Sequence, residues 1–204
     1  MKTYHPLKKA TLAAVLCVAA AVSLHAAGNG DTLIQAVKDN DSAKVQQLIK
    51  SGADVNAKDE GGMTALMYAV MAGDTDIVRS LLAASANVNA KNYVGVTPII
   101  LAAMDGHTDI TRLLIKAKAD VNARPDASVG CMTALHWAVC NNYDAVAKLL
   151  IDAGANVNAK NSEGQTALMF AIANRNEPMA SLLMQSGARM NDVYKKILNT
   201  LGGR

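Results

Sequence analysis

Thr64-Ala65-Leu66-Met67-Tyr68-Ala69 is the stretch that decides the fold of this chain, because it returns three more times. The copies begin at Thr97, Thr133 and Thr166, at spacings of 33, 36 and 33 residues. A second marker has the same periods and the same insertion of three residues: Val55-Asn56, Val88-Asn89, Val121-Asn122, Val157-Asn158 and Met190-Asn191. Two markers that agree on a fixed period predict a stack of similar supersecondary units.

Each unit reads as helix, turn, helix and loop. We expect Thr64 to cap the first helix of its unit, because its hydroxyl can accept from a free backbone N–H. Pro98 suits the first position of the matching helix in the next unit. The helix after Thr64 should run to about Met71, with Gly73 at the turn. The second helices have apolar stripes at helical spacing and are too short to be stable alone, as at Ile77, Val78, Leu81 and Leu82.

The repeated block resembles the Thr-Pro-Leu-His-x-Ala signature of the ankyrin repeat, and residues 52–57 resemble that repeat's closing turn. The resemblance implies an all-α solenoid of about five helix-turn-helix units with loop fingers. We expect units at 31–63, 64–96, 97–132, 133–165 and 166–198 within a domain of residues 27–204, and a capping helix at about 191–200. Asp31 would replace the capping threonine of the first unit, where Gln35 and Lys44 are polar as an end unit requires.

The N-terminus predicts export. Lys2, Lys8 and Lys9 precede an apolar run of about 15 residues and then small residues. This is the order of a secretory signal peptide, and a spanning helix needs roughly 20 apolar residues. We therefore expect residues 1–26 to be a signal peptide, cut after Ala26, rather than a membrane anchor.

Loss of the signal peptide would also remove the positive net charge. The three lysines leave with it, so 17 Lys+Arg face 17 Asp+Glu in the mature chain. We therefore expect a protein that binds neither nucleic acid nor, after signal removal, a membrane. We also expect a monomer, although a net charge near zero removes one barrier to association.

The sequence shows no catalytic constellation, and we expect neither enzyme activity nor a cofactor. His107 and His136 are interpreted as structural. Cys131 and Cys140 are interpreted as free thiols, with Cys140 packed and Cys131 in an exposed loop, because mostly helical chain would separate them by roughly 13 Å. The alternative function is a metal- or thiol-responsive stress protein that uses Cys131, Cys140 and His136.

Three features of the repeats leave alternatives open. Ser85 and Lys118 replace a glycine that ends helices in other units, so their turns are either strained or end differently. The loop at 124–130 carries the three extra residues, as part of a binding face or as a tolerated insertion. One repeat position holds mostly large side chains, for which packing between helices is favoured over a ligand-stacking ladder: Tyr68, Leu101, Trp137 and Phe170.

The resemblance also implies a concave, protein-binding surface made by the loop tips and first helices. An apolar loop (Tyr93, Val94, Val96) and adaptable methionines are typical of such a surface. Met63, Met104 and Met132 could equally fill gaps between units. The expected partner-binding residues are Lys58, Glu60, Met63, Met71, Lys91, Tyr93, Val94, Val96, Met104, Asp105, Arg124, Val129, Met132, Asn141, Lys160, Glu163 and Gln165.

A signal peptide on five such repeats resembles the exported, periplasmic bacterial type of ankyrin protein. That group has been linked to protecting a partner enzyme, such as a catalase, and to neutralising toxins from rival cells. We therefore expect a periplasmic or secreted binding scaffold whose partner is another protein.

Overall fold

A computed structural model describes residues 29–189 of the chain. The predicted signal peptide (1–26) and the predicted capping helix (about 191–200) lie outside these residues. Residues 29–189 form ten α-helices and no β-strand, which confirms the all-α fold class. One isolated antiparallel bridge pairs Lys58 with Thr64. None of the ten helices is long and apolar enough to cross a lipid bilayer.

The helices come in pairs, one pair to a unit. The first helices of the pairs are α1 (Asn29–Lys38), α3 (Ala65–Ala72), α5 (Pro98–Asp105), α7 (Ala134–Cys140) and α9 (Ala167–Ala173). The second helices are α2 (Ser42–Lys50), α4 (Thr75–Ala83), α6 (Thr108–Lys116), α8 (Asp144–Asp152) and α10 (Glu177–Gln185). A single 3-10 turn, Ala127–Val129, lies in the loop that carries the insertion.

The stack is built from two layers. Each first helix packs on the next first helix along the chain, and the second helices form a layer beside them. First helices therefore have neighbours on several sides: in α5 every residue from Pro98 to Ala103 is buried. Second helices bury one stripe, as α4 does with Ile77, Val78 and Leu81. The buried residues of all five units form one continuous core, which compensates for helices too short to be stable alone.

The predicted helix ends are largely confirmed. Thr64 caps α3, and its hydroxyl oxygen accepts from the Met67 N–H at 3.3 Å. The helix ends at Gly73, which has a left-handed backbone with φ of 71°. Pro98 is the first residue of α5. Local sequence signals therefore determine where these helices begin and end.

The start of the first unit differs from the expectation. Helix α1 begins at Asn29, so Asp31 lies inside the helix and the prediction that it caps the helix is wrong. Gly30 is buried so close to Ala57 that a side chain at position 30 would collide with it. The start of α1 therefore packs against the closing turn of its own unit. Gln35 and Lys44 are exposed, as expected for a polar outer unit.

The turns at Ser85 and Lys118 were expected either to have a strained backbone or to end their helices differently, and the structure shows a strained backbone. Their φ angles are 64° and 68°, in the left-handed region that favours glycine. The glycines at the same position, Gly52, Gly154 and Gly187, have φ angles of 80°, 87° and 90°. The stack therefore imposes one turn shape on every unit, whichever residue occupies the turn.

The asparagines of the Val-Asn marker join neighbouring units. Asn122 shows the pattern: its Oδ1 accepts from the Asn156 N–H at 2.7 Å, and its Nδ2 donates to the Gly154 carbonyl at 3.2 Å. Asn89 and Asn158 make the same two bonds to the next unit, and Asn56 accepts from the Asn87 N–H. We call these four residues (Asn56, Asn89, Asn122 and Asn158) the asparagine ladder.

Candidate partner-binding face

Three inter-unit loops share one internal geometry, which makes them rigid fingers. In each finger a side-chain oxygen accepts from the backbone N–H groups two and four residues later, at 2.8–3.1 Å. The accepting residues are Asp59, Asn92 and Asn161. These side-chain to backbone hydrogen bonds hold the loop in place of the backbone pairing of a β-hairpin, so each finger keeps its shape without a β-sheet.

Backbone hydrogen bonds also join these fingers along the stack, with the 124–132 loop between the second finger and the third. Tyr93 N donates to Gly61 O at 3.3 Å, Asp126 N to Val94 O at 2.9 Å, and Ser162 N to Gly130 O at 3.0 Å. We call the surface made by the fingers and the first helices the finger face. It is a connected frame, so the side chains on it are presented in a fixed arrangement.

Two of the predicted cationic residues form hydrogen bonds within this frame. Lys58 Nζ donates to the Lys91 carbonyl at 2.9 Å, and Arg124 Nη2 donates to the Lys160 carbonyl at 2.8 Å. Both side chains therefore reach along the stack to the next finger. Their exposed charge still lies on the finger face, but part of their hydrogen-bonding capacity is used within the chain.

Most of the predicted residues reach the surface. Tyr93 is the most exposed large apolar side chain in residues 29–189, at 65%. The other exposed members are Lys58, Glu60, Lys91, Arg124, Lys160 and Glu163. The half-buried members are Met71, Val94, Met104, Asp105, Val129, Met132, Asn141 and Gln165.

Met63 and Val96 are corrections to the prediction, because both are buried, with exposures of only 5% and 4%. They immediately precede the capping threonines, and their carbonyls accept from the N–H groups of Asp59 and Asn92 at the base of each finger. This pairing turns the two side chains toward the core. They support the face from below and cannot themselves be an exposed part of it.

A shallow apolar groove lies on the finger face between α5, the 124–132 loop and α7. Helix α5 and the residue before its cap supply Val96, Ile100, Leu101 and Met104. The loop supplies Pro125 and Val129, and Trp137 of α7 completes the lining. Only Met104, Val129 and Trp137 keep substantial exposure, so these three side chains form the accessible surface of the groove.

The family model described as ankyrin repeats (3 copies) matches residues 33–125 and 124–194. These two matches cover well over half of the chain. The chain belongs to the ankyrin repeat family. Ankyrin repeats are protein-binding scaffolds and are generally non-catalytic. No curated protein sequence matches this chain.

The ankyrin stack explains where the groove opens. Tyr68, Trp137 and Phe170 are half-buried at one repeat position, as packing between first helices requires, whereas Leu101 at the same position is fully buried. Leucine is the smallest of the four side chains, and it lines the groove. Trp137 is thus both a packing residue and a surface residue. The sequence favoured packing over a ligand-stacking ladder for this position, and the smaller Leu101 was the available signal for a gap beside Trp137.

Tyr68 shows how firmly this position is tied into the ankyrin stack. Its hydroxyl donates to Asp59 Oδ2 at 2.5 Å, and Lys38 Nζ lies 4.2 Å from the centre of its ring. Lys38 also pairs with Asp59 at 3.7 Å. Burial, and then the Asp59 carboxylate, raise the pKa of Tyr68 above its usual value. The tyrosine therefore acts as a neutral donor that connects α1, the first finger and α3.

Polar groups lie beside Met104 at the C-terminus of α5. Asn141 Nδ2 donates to the Met104 carbonyl at 3.0 Å, so this predicted residue joins α5 to the unit that follows. Burial raises the pKa of the Asp105 carboxyl, and nearby His107 opposes that rise. Asp105 is therefore a partly desolvated carboxyl group beside Met104.

The residues of the metal alternative do not form a site. Cys131 and Cys140 form no disulfide within residues 29–189, and both are half-buried, so Cys131 is less exposed than expected. Both ring nitrogens of His136 are within hydrogen-bonding distance of protein atoms. No group of three His, Cys, Asp or Glu side chains in residues 29–189 could hold a metal ion. The structure gives no support to a metal-responsive function.

Proposed function

We propose that this ankyrin protein is exported to the bacterial periplasm. There it would act as a non-catalytic scaffold that protects a partner enzyme or neutralises a toxin. The observation that supports binding is the apolar groove of Met104, Val129 and Trp137 on the same face as the exposed Tyr93. The export part of the proposal rests on the order of charged, apolar and small residues in 1–26.

The groove has the physical character of a protein-binding site. Removing apolar surface from water is favourable, by about 25 cal/mol for each Å² buried. Thioether side chains such as that of Met104 can adapt to a partner without losing contact. Exposed cations and acids lie on the fingers of the same face, and a polar rim is typical of protein interfaces. The hydrogen-bonded fingers add pre-organisation, which lowers the entropy cost of binding.

The deciding experiment is a crosslinked pull-down of the tagged protein from the source cell's envelope fraction, read by quantitative mass spectrometry. The variant is Tyr93→Glu with Met104→Glu, which places two charges on the proposed face. The matched control is Met184→Glu, because Met184 is an exposed methionine (48%) on α10 in the other layer of the stack. Helicity by circular dichroism should be the same in all three proteins.

We expect one protein to be captured near stoichiometry by the wild type and by Met184→Glu, and lost from the double variant. Capture that survives the double variant would exclude this face as the binding site. The activity of the captured partner, measured with and without the ankyrin protein, would then separate protection from neutralisation. A toxin partner comes from outside the cell, so the same capture should be repeated with envelope extracts of competing strains.

A further inference from the structure

His136 is the one histidine in the repeated blocks of this chain, and it is almost fully buried, with 1% exposure. Met67, Ile100 and Met169 occupy its position in the other blocks. In the structure it forms a capping box at the start of α7 with Thr133. The repeated block therefore places a buried histidine in one unit only.

The hydrogen bonds define the protonation state of the ring. Thr133 N, which can only donate, is 3.2 Å from Nδ1, and the Thr133 hydroxyl oxygen is 2.8 Å from the same atom. The Gln165 carbonyl, which can only accept, is 3.2 Å from Nε2. Nδ1 must therefore be bare and Nε2 must carry the hydrogen. A second proton could enter only at Nδ1, where the Thr133 hydroxyl oxygen could accept from it but the Thr133 N–H would lose its acceptor.

We infer that His136 is an acid-sensitive switch: its protonation removes the Thr133 N–H to Nδ1 bond from the capping box of α7 and loosens the stack at this unit, whereas the Thr64 cap of α3 does not titrate. The imidazolium has two donors and no acceptor, so it cannot keep the bond from Thr133 N–H. A helix that loses its cap bonds is destabilised at its first turn. Trp137 is the next residue, so the loosening reaches the groove directly.

The surroundings of the ring favour the neutral form. Burial lowers the pKa of His136 below its usual 6.5, and the Arg124 guanidinium at the base of the 124–132 loop acts in the same direction. The finger before α9 presents the backbone of Ala159 and Gln165, whose hydrogen bonds act in the opposite direction. The Phe170 ring of α9 is nearly perpendicular to the His136 ring, with 6.1 Å between the ring centres. Within residues 29–189 no carboxylate is among the groups that act on the ring.

The sign of the pH effect follows from this lowered pKa. Once α7 opens, the ring has its ordinary pKa near 6.5 and takes up a proton more readily than in the closed state. The cap is therefore fully effective above pH 6.5 and weakens as the pH falls from 6.5 toward the pKa of the closed state. Local opening should become up to about tenfold more frequent for each pH unit in that window.

Trp137 makes the inference measurable, because it is the only tryptophan of the chain. We propose to follow its fluorescence in the purified protein from pH 8 to pH 5, together with hydrogen exchange of the amides of α7 and α3. Helix α3 is the matched reference because its cap, Thr64 with Met67, has no titratable side chain. Exchange rates are compared after correction for the intrinsic effect of pH.

The control variant is His136→Gln. Threonine followed three residues later by glutamine is itself a capping-box pattern, so glutamine can accept from Thr133 N–H and donate to Gln165 without titrating. His107→Gln removes the neighbouring histidine and leaves His136 in place. Nitrogen-15 spectra of the wild-type histidines give an independent reading, because bare and protonated ring nitrogens have distinct shifts.

We expect a Trp137 emission change below pH 6.5 in the wild type and in His107→Gln, and none in His136→Gln. Protection of α7 should fall while that of α3 is kept. A Trp137 change that persists in His136→Gln would overturn the inference, as would equal loss of protection in both helices. A wild-type nitrogen spectrum with hydrogen on Nδ1 at pH 8 would also overturn it, even if the glutamine variant failed to fold.

Discussion

At the scale of single residues, the four capping threonines differ in what their hydroxyl groups do. Thr133 bonds to the His136 ring, and Thr64 accepts from a backbone N–H. The hydroxyl oxygens of Thr97 and Thr166 are buried and have no hydrogen-bond partner within residues 29–189. Ile100 and Met169, three residues after these threonines, have no polar side chain that could bond to the hydroxyl as His136 does for Thr133.

This difference predicts opposite effects for the same substitution. Thr97→Val replaces an unpaired buried hydroxyl by a methyl group of similar size, so it should be neutral or stabilise the fold by about 1 kcal/mol. Thr133→Val removes hydrogen bonds and should cost about 1–2 kcal/mol. Urea unfolding of both variants measures the two changes. A comparable loss in Thr97→Val would mean that the Thr97 hydroxyl is satisfied.

The strained turns at Ser85 and Lys118 give a second prediction at this scale. A left-handed backbone destabilises the folded state by roughly 1–2 kcal/mol at an ordinary residue. Glycine avoids this strain, but its greater freedom in the unfolded chain lowers stability by about 0.5–1 kcal/mol. Ser85→Gly and Lys118→Gly should therefore each raise the free energy of unfolding by about 0.5–1 kcal/mol. Gly154→Ser is the reciprocal control and should lower it by a similar amount. Unchanged thermal midpoints in all three variants would show that these turns store no strain.

At the scale of elements, the asparagine ladder matters because each rung joins one helix pair to the next. Asn122 satisfies a donor and an acceptor of the following unit, close to the turn at Gly154. The ladder thereby fixes the spacing between closing turns, and this spacing positions the fingers. A scaffold of short helices needs such links because each unit is stable only on its neighbours.

Asn122→Ala should therefore lower the free energy of unfolding by about 1–2 kcal/mol, the net value of two hydrogen bonds. Gln47→Ala, on an exposed part of α2, is the control and should change stability by less than about 0.5 kcal/mol. Chemical denaturation followed by circular dichroism compares them. If both substitutions had equally small effects, the asparagine ladder would fix the spacing of the units without adding to the free energy of unfolding.

At the scale of the whole molecule, export would change the charge of the protein. The full chain has a formal net charge of +3, and removal of residues 1–26 takes away Lys2, Lys8 and Lys9. We expect the protein in the periplasmic fraction to begin at Ala27 and to have an isoelectric point below the 8.7 of the full chain. Intact-mass spectrometry and isoelectric focusing of fractionated cells measure both. A full-length chain that remains in the cytoplasm would contradict the export proposal.

The sequence alone determined the repeat architecture of this protein. A period of 33 or 36 residues, a threonine before each inner helix and glycine at several turns are local signals, and they act through backbone hydrogen bonds within a few residues. The asparagine of the Val-Asn marker was visible too, although only as a marker. Most members of the predicted face do reach the surface, because residues at loop tips have few neighbours.

Only the tertiary structure decided which of those residues a partner could touch. Met63 and Val96 look like loop residues in the sequence, but the structure buries both of them in the core that the units share. Trp137 looks like a core residue, but the smaller Leu101 beside it leaves an open groove. Burial depends on what the neighbouring unit places against a side chain, and that neighbour lies more than thirty residues away along the chain.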